Sequence, residues 1–436
     1  MPVLRRNRFK FQQDVNMSLK APVGTQDILP DDVRIWRYVE DTARRVFQDY
    51  AYREIRTPIF EEEGLFNRSI GETTDIVEKE MYGLTTKSGP TSFVLRPELT
   101  ASVVRAYLEH NLHKDKKFQK LYYLGPLFRH ERPQKGRSRQ FHQIGVEALG
   151  SYDPLVDVEI MHLALAFFDE LGIENATLKV NSIGCLKCRD AYRTVLKEKL
   201  GKVKSDLCDK CRGRFDRNVF RILDCKNNKC CTTIKCLPPI QSYLCADCKN
   251  HFETVETALR HNGINYKLDH HLVRGFDYYT KTVFEITHDS LGSQNALCGG
   301  GRYDNLVAEL GGPAMGATGF AIGTERTVMA LSSGRADEQS CALVNTFVVA
   351  VDDTVRSECF KLVRELRQQN ISADMDYEGK SLKAQMRLAD RLKAKYVVVL
   401  GPQEIKQGIV RIKDMADGQE KELKRLEVIK YFKSKD

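Results

Sequence analysis

Ten of the 13 cysteines in this chain lie between Cys185 and Cys248, and six of the ten form three C-x-x-C pairs, Cys185/Cys188, Cys208/Cys211 and Cys245/Cys248. A density of thiols this uneven divides the chain, and residues 176–260 read as a cysteine-rich module inserted into a larger domain. The pattern does not read as a disulfide scaffold. A chain of 436 residues can bury a core without one, and the basic N-terminus MPVLRRNRFKFQQDVNM lacks the apolar stretch of a secretory signal. Reduced thiols leave metal binding or inert packing. Structural zinc takes four thiolates in a tetrahedron, and one C-x-x-C knuckle supplies two. Cys208, Cys211, Cys245 and Cys248 are the expected set, because a polar, helix-like run follows each pair. Cys225, Cys230, Cys231 and Cys236 lie between them, so other sets stay open. Zinc held this way would fold the insertion and would have no open position for catalysis.

The flanks have ordinary globular composition, with 42% apolar and 29% charged residues, enough for two or three domains. No apolar stretch reaches membrane-spanning length. Val33, Trp36, Val39, Ala43, Val46 and Tyr50 recur at helical spacing, predicting a helix over 32–50 capped by Asp31. YREIRTPIF (52–60) reads as an edge strand, since Pro58 is not tolerated in the middle of a sheet. Strands are expected at 120–129 and 140–150 around a polar loop, a helix at 153–171, and a strand over 272–287. After a polar linker (333–342), residues 343–436 alternate strand and helix, which predicts a small parallel or mixed sheet. The first 19 residues read as a basic extension.

Four runs carry chemistry. FRHERPQKGRSRQFHQIGVE (128–147) ends one strand in Arg129 and opens another. LVRGFDYYTKTVFEI (272–286) sets Arg274 beside two tyrosines. CGGGRYDNLV and GFAIGTERTV bring a glycine-rich segment and Arg326. Taken in this order, the runs closely resemble the histidyl-tRNA synthetases, a class II aminoacyl-tRNA synthetase family. The resemblance extends from about Lys20 to the C-terminus, and Phe276 stands where the family usually has leucine.

The resemblance implies an α+β catalytic domain built on an antiparallel sheet (20–175 and 261–332), the cysteine-rich insertion, and a C-terminal α/β anticodon-binding domain. It implies a homodimer through the segment around Pro58, and ATP-dependent ligation of L-histidine to tRNA(His) in the cytoplasm, with Mg²⁺ accompanying ATP. Forming an adenylate requires cations around a phosphate that is already negative, and the planar guanidinium grips phosphate oxygens in pairs. By resemblance, Arg129 and Arg326 hold the ATP phosphates, and Arg274 serves the α-phosphate and the histidine carboxylate, a place where other class II enzymes use a metal. Glu98, Thr100, Gln143, Glu147, Tyr278 and Tyr279 form the histidine pocket together with Arg129 and Arg274. Glu131 and Arg137 face ATP or the tRNA acceptor end. Gly316, Gly319 and Gly323 allow close approach to adenosine.

Local readings compete with several of these roles. Glu98 after Pro97 reads equally as a helix N-terminal acid. Arg132, Lys135, Arg137 and Arg139 could form a solvated loop tip, although a hairpin at the mouth of an ATP site can also reach acceptor-stem phosphates. The net charge of +9 suits a polyanionic partner and a plain basic surface alike. Gln143 and Glu147 are four residues apart on a strand, which puts both on one face. Two other functions compete with ligation. One is a non-catalytic regulatory relative, which would lack the C-terminal domain and have eroded arginines. The other is a zinc-ribbon nucleic-acid module, which would explain only 185–248. Since the insertion lies outside the four runs, losing its metal is expected to weaken tRNA charging and spare adenylate formation.

Overall fold

The computed structural model describes residues 19–71, 74–134, 136–332 and 344–435. The N-terminal extension up to residue 18, the linker over 333–343 and Lys135 lie outside them. The chain divides into two compact units at 334/335.

The first unit is organised by an eight-stranded sheet. Its order is Arg53–Glu54, Gln119–Phe128, Gln140–Leu149, Ala317–Gly323, Ala296–Arg302, Thr280–Thr287, Thr177–Ser182, Lys267–Leu268. The interior pairs are antiparallel, and only the short edge strands pair parallel. Helix Pro30–Asp49 buries Trp36, Val39, Ala43, Val46 and Phe47. Helix Pro154–Glu170 packs into the same core, which includes Phe47, Phe167 and Phe320. The first helix begins at Pro30 rather than after Asp31. Proline fits the first helical position because that N–H has no intrahelical partner, and Asp31 and Asp32 sit in the first turn without capping it.

The run 52–60 is not one strand. Arg53–Glu54 pairs with the large sheet, while Phe60–Glu62 joins a three-stranded sheet with Tyr82–Thr86 and Gly89–Leu95. Pro58 cannot donate to a ladder. The buried Arg96 guanidinium takes the carbonyls of Thr57 (2.8 Å) and Pro58 (3.0 Å) instead of a neighbouring strand. The strand expected over 272–287 also shortens, to Thr280–Thr287, which leaves residues 274–279 as irregular backbone.

The insertion is helical. Leu186–Gly201, Asp209–Arg217, Asn228–Lys235 and Ala246–His261 are joined by short turns, among them the 3₁₀ turn Val219–Ile222. It leaves the large sheet after Thr177–Ser182 and rejoins it before Lys267–Leu268. Tyr192, Leu196 and Ile222 pack in one apolar cluster with Tyr278 and Tyr279, so the insertion has no core separate from the Arg-Gly-Phe-Asp-Tyr-Tyr run.

The second unit is a five-stranded mixed sheet in the order Ala373–Met375, Thr346–Ala350, Tyr396–Leu400, Ile409–Asp414, Glu420–Lys424. The first three strands are parallel, the others antiparallel. Helices Arg356–Gln368 and Leu382–Arg391 supply the crossovers that parallel neighbours require.

Candidate functional site

A cavity of about 830 Å³ opens on one face of the large sheet. Strand Gln140–Leu149 contributes Gln143 and Glu147 to its lining, as their even spacing predicts. Glu98 and Thr100 come from the start of helix Thr100–Glu109. Arg129, Glu131 and Arg137 come from the hairpin loop, Arg274, Tyr278 and Tyr279 from the irregular run, and Arg326 from helix Thr324–Ser332. The eleven side chains expected to bind histidine, ATP or the acceptor end therefore face one space.

One end of the cavity is a buried carboxylate ringed by hydroxyls. Glu147 accepts hydrogen bonds from Thr100 Oγ1 (2.8 Å), Tyr123 (3.2 Å) and Tyr303. Burial raises its pKa to about 8 despite the hydroxyl donors. Glu98 accepts from the backbone N–H groups of Thr100 (2.7 Å) and Ala101 (2.8 Å), so it does act as the N-terminal acid of that helix. Burial raises its pKa, and those two backbone donors offset part of the rise.

The three arginines are held by different partners. Arg129 Nε donates to the Pro97 carbonyl (2.8 Å), and its guanidinium lies 5.1 Å from the Phe141 ring centre and 5.7 Å from that of Phe276. Arg274 pairs with Glu285 at 2.9 Å, and its buried Nε has no hydrogen-bond partner among the described residues. Arg326 donates to the carbonyls of Gly136 (3.1 Å) and Ala296 (2.8 Å), which ties the tip of the hairpin loop to the last helix of the first unit. Arg137 pairs with Glu131 at 3.0 Å, while Arg132 is exposed.

The glycines have identifiable roles. Gly319 faces Glu147 across the ladder and Gly323 faces Gln143. A β-carbon on Gly319 would overlap the Glu147 carboxylate. Gly316 does not line the cavity; it packs against the Ser151 carbonyl, which makes it structural. A β-carbon on Gly299 would overlap the Arg274 guanidinium. Gly299→Ala should therefore keep the fold, because a flexible side chain can move aside, but displace Arg274. A misplacement of this kind costs roughly 100-fold in rate, to be read as adenylate formation at an unchanged melting temperature.

Several lining residues escaped the sequence reading. Glu285 and Tyr303 lie inside quoted runs, and an acid within the apolar stretch Val283–Ile286 was the available signal for Glu285. Asp75 and Glu80 follow no motif. Lys210, Arg214, Arg221, Asp224 and Lys226 belong to the insertion, which departs from the expectation that the insertion stands apart from the chemistry.

Comparison with known proteins follows the same geography. The histidyl-tRNA synthetase family model matches residues 24–197 and 236–327, and the anticodon-binding-domain model matches 345–435. The chain is 47% identical over 407 residues to a histidine–tRNA ligase of Halothermothrix orenii, covering 93% of this chain and 97% of that one. The chain belongs to the histidyl-tRNA synthetase family. A second histidine–tRNA ligase, from Desulforamulus reducens, is 45% identical, with 96% of this chain and all of the relative covered. The apo histidyl-tRNA synthetase of S. aureus superposes with a TM-score of 0.80 at 36% identity, over 95% of this chain and 100% of its own.

Within this family fold the cysteines form two groups, neither of them the expected set. Cys185, Cys188, Cys245 and Cys248 make one, and Cys208, Cys211, Cys225 and Cys230 the other, with all sulfurs in each within 4.8 Å of one another. The expected quartet fails because the last knuckle, at the start of helix Ala246–His261, meets the first knuckle just after strand Thr177–Ser182, and the second knuckle finds partners inside the intervening segment. Cys185, Cys208 and Cys245 each immediately precede a helix, so the helix-like run that favoured two knuckles holds for all three. Cys231 and Cys236 instead bond backbone carbonyls.

The spacing within the groups suits a metal. Sulfurs lie 3.6 Å apart for Cys185 and Cys188, 3.9 Å for Cys185 and Cys245, and 3.9 Å for Cys208 and Cys225. Tetrahedral zinc with bonds of about 2.3 Å spaces its sulfurs by about 3.8 Å. Burial pushes the thiols of Cys185 and Cys208 up, but backbone N–H groups and neighbouring thiols bring both down to about 7.

Proposed function

We propose that the cavity joins L-histidine to ATP as histidyl-adenylate, releasing pyrophosphate, and that the histidyl group then passes to the terminal adenosine of tRNA(His), releasing AMP. The observation that carries this reading is the convergence of Arg129, Arg274 and Arg326 on a cavity closed at one end by Glu147 and its hydroxyls. In the first step a carboxylate oxygen of histidine bonds to the α-phosphorus as the bond to pyrophosphate breaks. Negative charge grows on the phosphate oxygens and the leaving group, where preorganised cations lower the barrier most. Arg274 faces the α-phosphate and the histidine carboxylate, and its unpartnered Nε is a donor left for ligand. Arg129 and Arg326 hold the ATP phosphates, with Mg²⁺ entering on ATP. Glu131 and Arg137 at the loop contact ATP or the acceptor end.

Glu147, Thr100, Gln143, Tyr278 and Tyr279 recognise histidine. A cationic ammonium or imidazole favours the charged form of Glu147, while an uncharged side chain leaves its buried hydrogen-bonding groups unpaired, which is how a polar pocket rejects wrong substrates. Glu98, its oxygens occupied by backbone donors, supports the pocket from one side. Transfer of labelled histidine to tRNA(His) by the purified chain tests the overall reaction, and charging that requires no histidine or no ATP would contradict it.

The regulatory relative is disfavoured by the same arginines and by residues 345–435, which match the anticodon-binding model. The zinc-ribbon module explains neither flank. Each cysteine group supplies four thiols and no open coordination position, the donor set of structural zinc. No helix among the described residues is long and apolar enough to cross a membrane. The reduced thiols favour a cytoplasmic site of action.

We also infer a homodimer. Beside Pro58, Ile59 and Phe60 are 45% and 51% exposed, and Phe60 packs edge-on to the exposed Phe93 at 5.7 Å. This apolar patch on the small sheet suits a second copy of the chain. Light scattering at micromolar concentration should give the mass of two chains, and Phe60→Asp should shift it toward one. A monomeric wild type would contradict the assignment.

A further inference from the structure

The irregular run at 274–279 has no ladder to hold it. Its backbone is held from behind by the insertion. Arg221 Nη1 donates to the Gly275 carbonyl (2.9 Å). Asn218 Nδ2 donates to the Asp277 carboxylate (3.0 Å). Arg189 Nη1 donates to the carbonyls of Asp277 (2.8 Å) and Tyr279 (3.2 Å). These three positioning residues lie beside the two cysteine groups. Arg189 follows Cys188 directly, and Asn218 and Arg221 fall between Cys211 and Cys225.

The segment that carries Asn218 and Arg221 is anchored by Val219, Phe220 and Ile222, which are buried in the cluster that holds Tyr192. It consists of a nine-residue helix and a four-residue 3₁₀ turn, and helices this short are marginal without tertiary support. Arg214 steadies it by donating to the Arg221 carbonyl (3.1 Å) and pairing with Asp75 (3.4 Å). A metal joining Cys208 and Cys211 at one end to Cys225 and Cys230 at the other would tie both ends of this segment.

We propose that two zinc ions in the insertion, one in each four-cysteine group, brace Arg189, Asn218 and Arg221 against the Arg-Gly-Phe-Asp-Tyr-Tyr run, so that metal occupancy governs the rate of adenylate formation. This rests on the zinc reading above and reverses the expectation that metal loss spares the first step. In metal-free protein the donors drift, the run relaxes and Arg274 leaves its position. Arg189 and Asn218 do not line the cavity, whereas Arg221 does; in this proposal each acts through the run it holds.

The test combines metal analysis of the purified chain with histidine-dependent exchange of pyrophosphate into ATP, measured without tRNA. Wild type should carry two zinc ions per chain. Cys225→Ser should retain one and lose about 10-fold to 100-fold in exchange, mainly in kcat. Asn218→Ala and Arg221→Ala should keep both ions and slow exchange in the same way, and Arg221→Lys, which keeps a donor for the Gly275 carbonyl, should recover part of the rate. Metal-free, fully active wild type would overturn the zinc reading and the inference with it. Two ions in wild type, with exchange in Cys225→Ser within two-fold of normal, would overturn the coupling alone. If Cys225→Ser fails to fold, the Asn218 and Arg221 variants decide, and unchanged exchange in both refutes the brace.

Discussion

Replacing Arg274 with histidine is expected to slow histidyl-adenylate formation by about 10²–10³-fold, the usual cost of removing one positioned donor from a developing anion. The fold should survive. Both side chains of the Arg274–Glu285 pair line the cavity and retain about a fifth of their exposure, so water can reach Glu285 when the guanidinium is removed. Glu285→Gln separates the two roles: it removes the partner but leaves the guanidinium, so its rate loss should be far smaller. Pre-steady-state measurement of adenylate formation reads both. An Arg274→His rate within a few-fold of wild type would remove Arg274 from the reaction.

The largest expected effect on stability lies behind the site. Arg302 is fully buried, pairs with Asp157 at 2.7 Å and Asp304 at 3.1 Å, and donates to the carbonyls of Ser151 (2.9 Å) and Asp153 (3.0 Å). His251 of the insertion reaches the other oxygen of Asp157 at 2.8 Å. This network joins the glycine-rich strand, helix Pro154–Glu170 and the last insertion helix. Burial pushes Asp157 up, but Arg302 and His251 more than offset it and hold the carboxyl below its ordinary value. Arg302→Met should cost about 3–5 kcal/mol, because it strands a buried carboxylate. Arg302→Met with Asp157→Leu should recover much of that loss. A folded pKa below the unfolded one means that Asp157 contributes stability fully above the unfolded value of about 3.9, and that this contribution fades as pH falls through the folded value. The gap between wild type and Arg302→Met should therefore narrow in acid. Equal denaturation midpoints at pH 7 would contradict the network's role.

What the sequence made legible follows from the range of the interactions involved. Helices Pro30–Asp49 and Pro154–Glu170 and the strands flanking the hairpin loop are set by local periodicity and turn chemistry, and they appear within a few residues of expectation. The residues facing the cavity were legible through family motifs; spacing alone reached only Gln143 and Glu147. The division of 52–60 was not legible, because it depends on Arg96, which lies some forty residues away and takes the carbonyls at Pro58. The cysteine partition failed for a similar reason. Each knuckle is local, but which knuckles meet depends on how the insertion folds back on its own start. The brace behind residues 274–279 was hidden too, since Arg189, Asn218 and Arg221 carry no motif and gain a role only when the chain folds back.

The most direct test of the proposed chemistry is exchange of labelled pyrophosphate into ATP by the purified wild-type chain in the absence of tRNA. A catalytic cavity of this kind predicts exchange that depends on L-histidine, is not supported by other amino acids, and falls by about 10²–10³-fold in Arg274→His. Exchange that is absent with histidine, or equally fast without it, would contradict the assignment of the cavity to histidyl-adenylate formation.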